Sequence, residues 1–389
     1  MYLNRIEKER AILVGVRFPT TSAETTEESL NELEQLVVTA GGEAVSRVVQ
    51  ERESPHRRTF IGSGKAGEIK KLAEILEADL IVFDHDLTPS QEHNLEDTIG
   101  RKVLDRTALI LDIFAQHAHS SEGKLQVELA QNIYRLPRLR GKGIELSRLG
   151  GGIGTRGPGE TKLEVDRRRI RRHIQYLKKE LFRVRQNRAT QRKKRKKAGV
   201  SSISIVGYTN AGKSTLLNTL TKADVLVEGK LFATLDSTSR RLLLPSKQTV
   251  VFSDTVGFIK KLPHQLIASF RSTLDEIKEA SLILHIIDAS HPQMEKQIEA
   301  AENVLEEIGA AEKPRLNVFN KNDRLSEIEI ERLRKRFPDG IFISALLGQG
   351  IEKLLKVIDE RVSRERVRVR LQIPFERGDL IQKIHEEGS

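Results

Sequence analysis

Cysteine and tryptophan are absent from the 389 residues, and long apolar runs are absent as well. Without cysteine the chain cannot carry a disulfide framework, Cys-ligated zinc, an iron–sulfur cluster or a thiol nucleophile. Apolar stretches such as 281–289 are far shorter than the roughly 20 residues of a membrane-spanning helix, and the opening MYLNRIEKER lacks the apolar region of a signal peptide. We therefore expect a soluble, cytoplasmic protein without a membrane span, and we expect it to be monomeric.

The excess of basic residues lies in one part of the chain. In total, 66 Lys and Arg stand against 55 Asp and Glu, a net charge of +11. Residues 135–197 alone hold 23 Lys and Arg against 5 Asp and Glu, so the rest of the chain is net acidic. A segment of this charge attracts polyanions, of which nucleic acid and acidic membrane lipids are the usual candidates.

Apolar periodicity divides the chain into four segments. β-branched runs at 10–18 and 79–84 alternate with helical spacings, which predicts a small α/β domain over 1–120. Residues 121–198 carry the apolar stripes of two amphipathic helices and predict an antiparallel hairpin with a non-helical tip at 137–160. Over 199–365, helical segments alternate with strand-like runs at 202–207, 242–245, 249–254, 281–289, 315–320 and 341–345. That pattern predicts a doubly wound, mostly parallel sheet, and we interpret 366–389 as the start of a truncated domain.

The predicted tip combines glycines with positive charge. It contains eight glycines and five basic residues, namely Arg138, Arg140, Lys142, Arg148 and Arg156. Glycine allows the backbone to approach an irregular phosphate surface, and the cations release counterions, so the tip suits shape-driven RNA binding. Because only 4% of the chain is aromatic, we do not expect bases to be recognised by stacking. A solvated cationic surface without a ligand is the alternative.

A phosphate-binding loop is predicted where an apolar strand gives way to a helical pattern. The sequence GYTNAGKST supplies Gly207, Tyr208, Thr209, Asn210, Ala211, Gly212, Lys213, Ser214 and Thr215. In such a loop the glycines let backbone N–H groups surround a β-phosphate at a helix N-terminus, the lysine reaches the β- and γ-phosphates, and the serine hydroxyl ligates Mg²⁺.

Two later motifs narrow the nucleotide to GTP. Each follows a predicted strand: Asp254, Thr255, Val256 and Gly257 come first, and Asn320, Lys321, Asn322 and Asp323 come second. The Asp323 carboxylate can accept hydrogen bonds from N1–H and the N2 amine of guanine, whereas adenine would leave it unmatched. Asp254 can hold Mg²⁺ through water, and the Gly257 N–H can sense a γ-phosphate.

In this order the motifs resemble those of a Ras-like GTPase. Ser344, Ala345 and Leu346 correspond to the loop whose backbone touches guanine, and the first switch corresponds to Leu231, Phe232, Ala233, Thr234, Leu235 and Asp236. The stretch GGGIGTRGPGETKLEVDRRR at 150–169 is similar to the hallmark of the HflX GTPases, in the Obg-HflX group of P-loop GTPases. The resemblance spans most of the chain and implies an N-terminal HflX-type domain, a helical hairpin and a GTPase domain.

The resemblance also implies site roles and partners. Mg²⁺ would be held by Ser214, Thr234 and, through water, Asp254, while Lys213, Thr234 and Gly257 would act in hydrolysis of GTP to GDP. Ser237 stands where the family usually has proline, which makes Thr238 the fallback for Thr234. Phe258 stands where many Ras-like enzymes orient water with glutamine, so we expect hydrolysis that is slow alone and stimulated by a partner.

Relatives of this kind act on the ribosome, which implies nucleotide-dependent binding to the large subunit and its ribosomal RNA, and a role in splitting or rescuing stalled ribosomes. Two alternatives stay open: a GTPase that assists ribosome assembly or RNA modification, and a non-switching RNA-binding protein. Gly62, Ser63, Gly64 and Lys65 form a shorter motif that suggests ATP in the N-terminal domain, with a plain strand–helix turn as the alternative.

Overall fold

The computed structural model describes residues 8–139, 162–197, 199–221, 231–232, 238–255, 257–259 and 271–363. These residues divide into two compact units, the first reaching Leu181 and the second starting at Phe182. The division falls inside a long helix because its later turns belong to the second unit, where Arg185 and Arg188 form ion pairs with Asp275 and Glu276. The boundaries at 120, 198 and 365 stay predictions.

The first unit is an α/β domain followed by two helices. Its sheet has four parallel strands in the order β2-β1-β3-β4. The strands are β1 (Arg10–Arg17), β2 (Glu43–Glu51), β3 (Leu80–Phe83) and β4 (Lys102–Asp105). The helices are α1 (Ala23–Thr39), α2 (Ser63–Ile75), α3 (Pro89–Ile99), α4 (Arg106–His117), α5 (Ser121–Arg138) and α6 (Lys162–Lys197). Among helices of the described residues, none combines the length and apolar character that crossing a membrane requires.

Local sequence signals explain where these helices begin. Thr88 accepts a hydrogen bond from the Gln91 backbone N–H while the Gln91 side chain returns to Thr88, a capping box with Pro89 in the first turn. Strands β2 and β4 have no counterpart among the runs picked out in the sequence. Strand β2 is a half-buried edge strand with polar residues on one face, and β4 has only four residues, so neither produces a continuous apolar run.

Helices α5 and α6 pack through one apolar stripe, as the periodicity predicts. Leu129 of α5 and Ile174 and Leu177 of α6 are buried together. Helix α5 continues two residues into the segment predicted to be non-helical, since Pro137 and Arg138 form its last turn. Ion pairs of the Arg138 side chain with Glu92 and Asp105 of the N-terminal domain stabilise that turn.

The second unit contains a six-stranded sheet in the order β10-β9-β8-β5-β7-β6. Every neighbouring pair is parallel except β6 with β7. The strands are β5 (Ser201–Gly207), β6 (Ser239–Leu243), β7 (Thr249–Asp254), β8 (Leu282–Asp288), β9 (Arg315–Asn320) and β10 (Ile341–Phe342). The helices are α7 (Lys213–Thr221), α8 (Arg271–Glu279), α9 (Met294–Glu307), α10 (Glu327–Arg336) and α11 (Ile351–Ser363), with a 3-10 turn at Asn322–Arg324.

The predicted doubly wound fold is therefore confirmed, with two shifted strands. Only Leu242 and Leu243 of the run expected at 242–245 lie in β6, which begins at Ser239 and ends at Leu243. The start of this edge strand was missed because Ser239, Arg240 and Arg241 are polar and add nothing to an apolar run. Strand β10 is shorter than the 341–345 run. The central strands end at Gly207, Asp254, Asp288 and Asn320, and parallel strands bring these carboxyl ends to the same side of the sheet.

Candidate nucleotide-binding site

The loop between β5 and α7 has a backbone that only particular residues can adopt. Gly207 has φ of +151° and Gly212 has φ of +92°. A Cβ at Gly207 would lie closer than 3.0 Å to the Ile286 carbonyl, and a Cβ at Gly212 closer than 3.0 Å to the Asn320 side chain. Asn210, between them, adopts the left-handed conformation with φ of +61°. The glycine spacing of the motif thus reflects close packing as well as turn geometry.

Lys213 is buried at the first turn of α7. Its Nζ donates hydrogen bonds to the carbonyls of Gly207 at 3.2 Å and Tyr208 at 2.8 Å, both in the loop itself. Burial lowers the pKa of Lys213 to about 8, with nearby Asp254 acting against that shift and Lys321 adding to it. A phosphate group in the loop would therefore meet an ammonium that is already held in place.

Ser214 and Asp254, each predicted to serve as a metal ligand, lie next to each other. The Ser214 Oγ donates to Asp254 Oδ2 at 2.9 Å, and Asp254 is 1% exposed. The adjoining Thr255 is fixed by its own hydroxyl, which donates to the Ile205 carbonyl at 2.7 Å. A hydroxyl beside a carboxylate at the end of β7 is a pair of hard oxygen donors, the chemistry that Mg²⁺ prefers. The residues present fit that ion.

The segment after Asp254 lies directly against the loop. The Phe258 carbonyl accepts from the Thr209 N–H at 2.7 Å, and the Phe258 N–H donates to the Gly207 carbonyl at 3.0 Å. A Cβ on Gly257 would be 3.0 Å from Lys213 Nζ, so the glycine permits this approach. The Phe258 side chain is 1% exposed, which makes it a packed residue with no atom that could orient water.

The predicted switch is described only at its start. Leu231 and Phe232 are buried, and the Phe232 N–H donates to Thr209 Oγ1 at 3.0 Å with φ of +56° at Phe232. The other predicted switch residues, Ala233, Thr234, Leu235 and Asp236, lie outside the described residues, as do Ser237 and Val256. Thr238 is described, and its carbonyl accepts from the Asp254 N–H at 2.9 Å.

Asn320 links three motifs that are far apart in sequence. Its Nδ2 donates to the Ala211 carbonyl at 2.8 Å, and its Oδ1 accepts from the Ala345 N–H at 2.9 Å. Thr219 of α7 holds the other end of that loop, because its hydroxyl donates to the Ala345 carbonyl at 2.7 Å. Asn320 is 2% exposed, so it joins the phosphate loop to the predicted guanine-contacting loop from within the core.

Lys321 and Asp323 are the residues that the sequence predicts at the guanine end of the site. Lys321 has φ of +62° and its Nζ donates to Asp288 Oδ2 at 2.7 Å. The next residue is fixed by its backbone, since the Asn322 N–H donates to the Ile343 carbonyl at 3.2 Å. Asp323 is exposed, as is Leu346, while Ser344 and Ala345 are buried.

Asp288 is a site residue that the motifs do not include. It ends β8, is 9% exposed and orients Lys321 by the ion pair. The signal available in the sequence is the acidic residue that terminates the apolar run LILHIID, at the same edge of the sheet as Asp254 and Asn320. Acidic residues also end many strands that lie away from any site. The sequence signal therefore identifies Asp288 only once the order of the strands in the sheet is known.

Among the predicted RNA ligands, only Arg138 is described, and its guanidinium is engaged within the first unit. It forms ion pairs with Glu92 at 2.6 Å and Asp105 at 2.9 Å and lies 3.4 Å over the Tyr134 ring. The Tyr134 hydroxyl donates to Asp105 at 2.8 Å. Arg138 thus already has two carboxylate partners within the first unit. The other four, Arg140, Lys142, Arg148 and Arg156, lie outside the described residues, as does the 366–389 tail.

The short motif in the first unit has the form of a strand–helix turn. Gly62 is the N-cap of α2, and its N–H donates to the Gln50 side chain at 2.9 Å. Ser63 and Gly64 begin the helix, and Lys65 pairs with Glu68 one turn along it.

Comparisons with known proteins add three family matches and several full-length relatives. The chain matches GTP-binding GTPase N-terminal over 27–115, GTP-binding GTPase Middle Region over 117–195 and 50S ribosome-binding GTPase over 202–321. It is 50% identical to GTPase HflX of Caldanaerobacter subterraneus, covering 98% of this chain and 87% of that one. It is 45% identical to GTPase HflX of Escherichia coli, covering 97% and 88%. A crystal structure of SsGBP with GDP matches at 28% identity and a TM-score of 0.50, covering 92% of this chain and 100% of that one.

Proposed function

This chain belongs to the HflX family of GTPases, and from that premise we propose that it binds the large ribosomal subunit when loaded with GTP and splits or rescues stalled ribosomes. Hydrolysis of GTP to GDP and phosphate is the activity of its second unit. The observation that carries the nucleotide-dependent part of the proposal is the bonding of Asn320 to Ala211 and Ala345, because it joins the phosphate loop and the predicted guanine loop into one binding surface. The ribosomal part rests on the family.

Recognition of GTP divides between two ends of this surface. At the phosphate end, the backbone N–H groups of 207–214 and the Lys213 ammonium neutralise the β- and γ-phosphates. At the base end, Asp323 is exposed and free to accept the N1–H and N2 hydrogens of guanine, and the aliphatic part of Lys321, held by Asp288, borders the base. Adenine would leave the Asp323 carboxylate desolvated without a donor, which weakens ATP.

Mg²⁺ fits the oxygen donors at the end of β7. We assign Ser214 as a direct ligand and Asp254 as a ligand through water, with Thr234 supplied by the first switch. The metal would neutralise charge that develops on the phosphates during hydrolysis.

The site supplies no side chain that orients the attacking water from position 258. Phe258 is packed in the core, and its backbone is bonded to Gly207 and Thr209. Hydrolysis in the isolated protein should therefore be slow, and the missing group should come from the ribosome. Loss of the γ-phosphate would then release the segment around Gly257 and lower the affinity for the subunit.

Ribosome contact is assigned to the cationic hairpin and its glycine-rich tip. Arg140, Lys142, Arg148 and Arg156 are the proposed phosphate ligands, with large-subunit ribosomal RNA as the partner and the cytoplasm as the place of action. Because Arg138 is paired with Glu92 and Asp105, we assign it to holding the end of α5 against the N-terminal domain rather than to RNA.

Sedimentation of whole ribosomes with the protein tests this function. With a non-hydrolysable GTP analogue we expect binding and the appearance of free subunits, and with GDP we expect neither. Lys213→Ala should remove both effects. Binding to immature particles alone would instead favour an assembly factor, and binding that ignores the nucleotide would favour a non-switching RNA-binding protein.

A matched pair of charge variants separates the tip from general electrostatics. Replacing Arg140, Lys142, Arg148 and Arg156 with glutamine should weaken ribosome binding and reduce its salt dependence while GTP binding is retained. The control removes the same number of charges from exposed lysines elsewhere, at Lys70, Lys71, Lys335 and Lys353. Equal loss in both variants would contradict the assignment of the tip.

A further inference from the structure

Helix α6 presents an aromatic ring to solvent among basic side chains. Tyr176 is 56% exposed, so its ring is open to solvent. Exposed basic residues at helical spacings surround it, and together they form what we call the Tyr176 face: Arg168, Arg169, Arg172, Tyr176 and Lys179. Ile174 and Leu177 point the other way and are buried against α5, so this face is the outer side of the hairpin.

The Tyr176 ring is held in place. It stacks on the ring of His173 with the centroids 6.0 Å apart and the planes 22° apart. His173 is itself fixed by Glu128 of α5, whose Oε1 lies 2.7 Å from His173 Nε2. A ring that is ordered beforehand loses less entropy when a planar ligand stacks on it, and so binds that ligand with greater affinity.

We propose that the Tyr176 face binds ribosomal RNA by stacking a nucleobase on the Tyr176 ring while Arg169, Arg172 and Lys179 contact the neighbouring phosphates. A cationic surface with a central aromatic ring is the combination that proteins use for unpaired bases, because every base has a π-face and every nucleotide carries a phosphate. An apolar protein partner would not match the charge of this face. The inference rests on the proposed function and adds to it a second contact, outside the glycine-rich tip.

The spacing along the helix sets the size of the contact. Arg169 and Lys179 are ten residues apart, which is about 15 Å at the α-helical rise. That length suits a short single-stranded segment of RNA, whose phosphates lie within reach of flexible arginine and lysine side chains. An RNA bulge or loop of that size is the partner that fits, and the stacking it requires is a mode of recognition that the low aromatic content of the chain had argued against.

Three variants separate stacking from charge. Tyr176→Leu should weaken binding to large ribosomal subunits by about 5- to 150-fold with no change in the slope of log K against log salt. The matched variant Tyr176→Phe keeps the ring and should bind like the unmodified protein. Arg172→Gln should make that negative slope shallower by about 0.7 to 0.9, because one phosphate contact is lost. Since Tyr176 and Arg172 are both exposed, none of the three substitutions should alter the unfolding midpoint or GDP affinity.

Contact between RNA and position 176 can be measured directly with Tyr176→Trp, because the chain has no tryptophan of its own and the new residue would be its single indole fluorophore. We expect its fluorescence to be quenched by protein-free large-subunit ribosomal RNA and by intact subunits. Quenching by intact subunits alone would mean that the face meets a ribosomal protein, which overturns the assignment. No quenching, together with unchanged affinity of Tyr176→Leu, would also overturn it. If the unmodified protein fails to bind ribosomes while ribosomal RNA still quenches the tryptophan, the proposed function fails and the RNA-binding face stands.

Discussion

Substitution of Gly212 by alanine tests the link between the phosphate loop and the guanine loop. Two costs add at this position. The left-handed φ of +92° costs an L-residue about 1 to 2 kcal/mol. The new Cβ would also lie closer than 3.0 Å to Asn320 Nδ2, so Asn320 must move. Its bonds to Ala211 and Ala345 would be weakened, at about 0.5 to 1.5 kcal/mol each. The total is about 2 to 5 kcal/mol.

Gly309 offers a control in the same unit that isolates the first of these costs. It has φ of +71°, and no atom lies within 4 Å of the position that a Cβ would take, so Gly309→Ala carries backbone strain without a collision. We expect Gly309→Ala to lose about 1 to 2 kcal/mol of unfolding free energy in urea and to keep its GDP affinity. Gly212→Ala should lose more stability and bind GDP at least about 10-fold more weakly by calorimetry. Equal behaviour of the two variants in both assays would refute the role of Asn320 as the connection.

Three further predictions concern single side chains. Asp323→Ala should weaken GDP by roughly 100-fold in calorimetry, because two hydrogen bonds to a carboxylate are lost, and it should not weaken ADP; an equal loss for both nucleotides would contradict recognition of guanine by Asp323. GDP affinity should fall as pH rises above about 8. In the nucleotide-free protein, burial lowers the pKa of Lys213 to about 8, and a bound phosphate would raise that pKa again. Binding of GDP above pH 8 therefore takes up a proton. Titrations in two buffers of different ionisation enthalpy would detect that proton, and its absence would contradict the shift. Arg138→Met should cost about 3 kcal/mol of unfolding free energy, because the buried Asp105 carboxylate loses its cation. Tyr134→Phe should cost about 1 kcal/mol, and neither substitution should change GDP affinity. If Arg138→Met instead reduced the salt dependence of ribosome binding and left stability unchanged, Arg138 would be an RNA ligand.

The same Lys213 shift has a consequence for stability, with the opposite sign from the usual effect of a salt-bridged lysine. The folded-state pKa of about 8 lies below the ordinary value of 10.5, so between these values the unfolded chain binds more protons than the folded chain. Unfolding free energy should therefore rise as pH increases through this range. Burial of His285 makes the unfolding free energy depend on pH in the same direction, over a lower pH range. Burial lowers its pKa to about 4 from 6.5, so stability should fall as pH decreases from about 6.5 to about 4.

The phosphate loop and the order of the motifs could be predicted from sequence because their chemistry is local. Glycines at 207 and 212, a lysine and a hydroxyl at fixed spacing after an apolar strand specify a loop at a helix N-terminus, and the structure has that loop between β5 and α7. The helical hairpin could also be predicted from sequence, because a stripe of apolar residues at helical spacing must be buried against another element. Helices α5 and α6 bury their stripes against each other.

Other features depended on which strands are neighbours. Asp288 joins the site only because β8 lies between β5 and β9, and Asn320 reaches Ala211 and Ala345 only because three loops meet at one edge of the sheet. The ion pairs of Arg138 likewise could not be predicted from the sequence. In sequence it is one of five cations in the tip, and only the folded domain places Glu92 and Asp105 within ion-pair distance of it.

By itself, then, the sequence determined the fold class, the phosphate loop and the choice of guanine, because each is encoded by residue types at short and regular spacing. Tertiary structure alone decided which polar side chains meet across strands, which arginine is already paired and which tyrosine stays on the surface. These depend on distances between residues far apart in the chain, and such distances are set by the packing of the whole sheet and its helices, for which no local pattern exists.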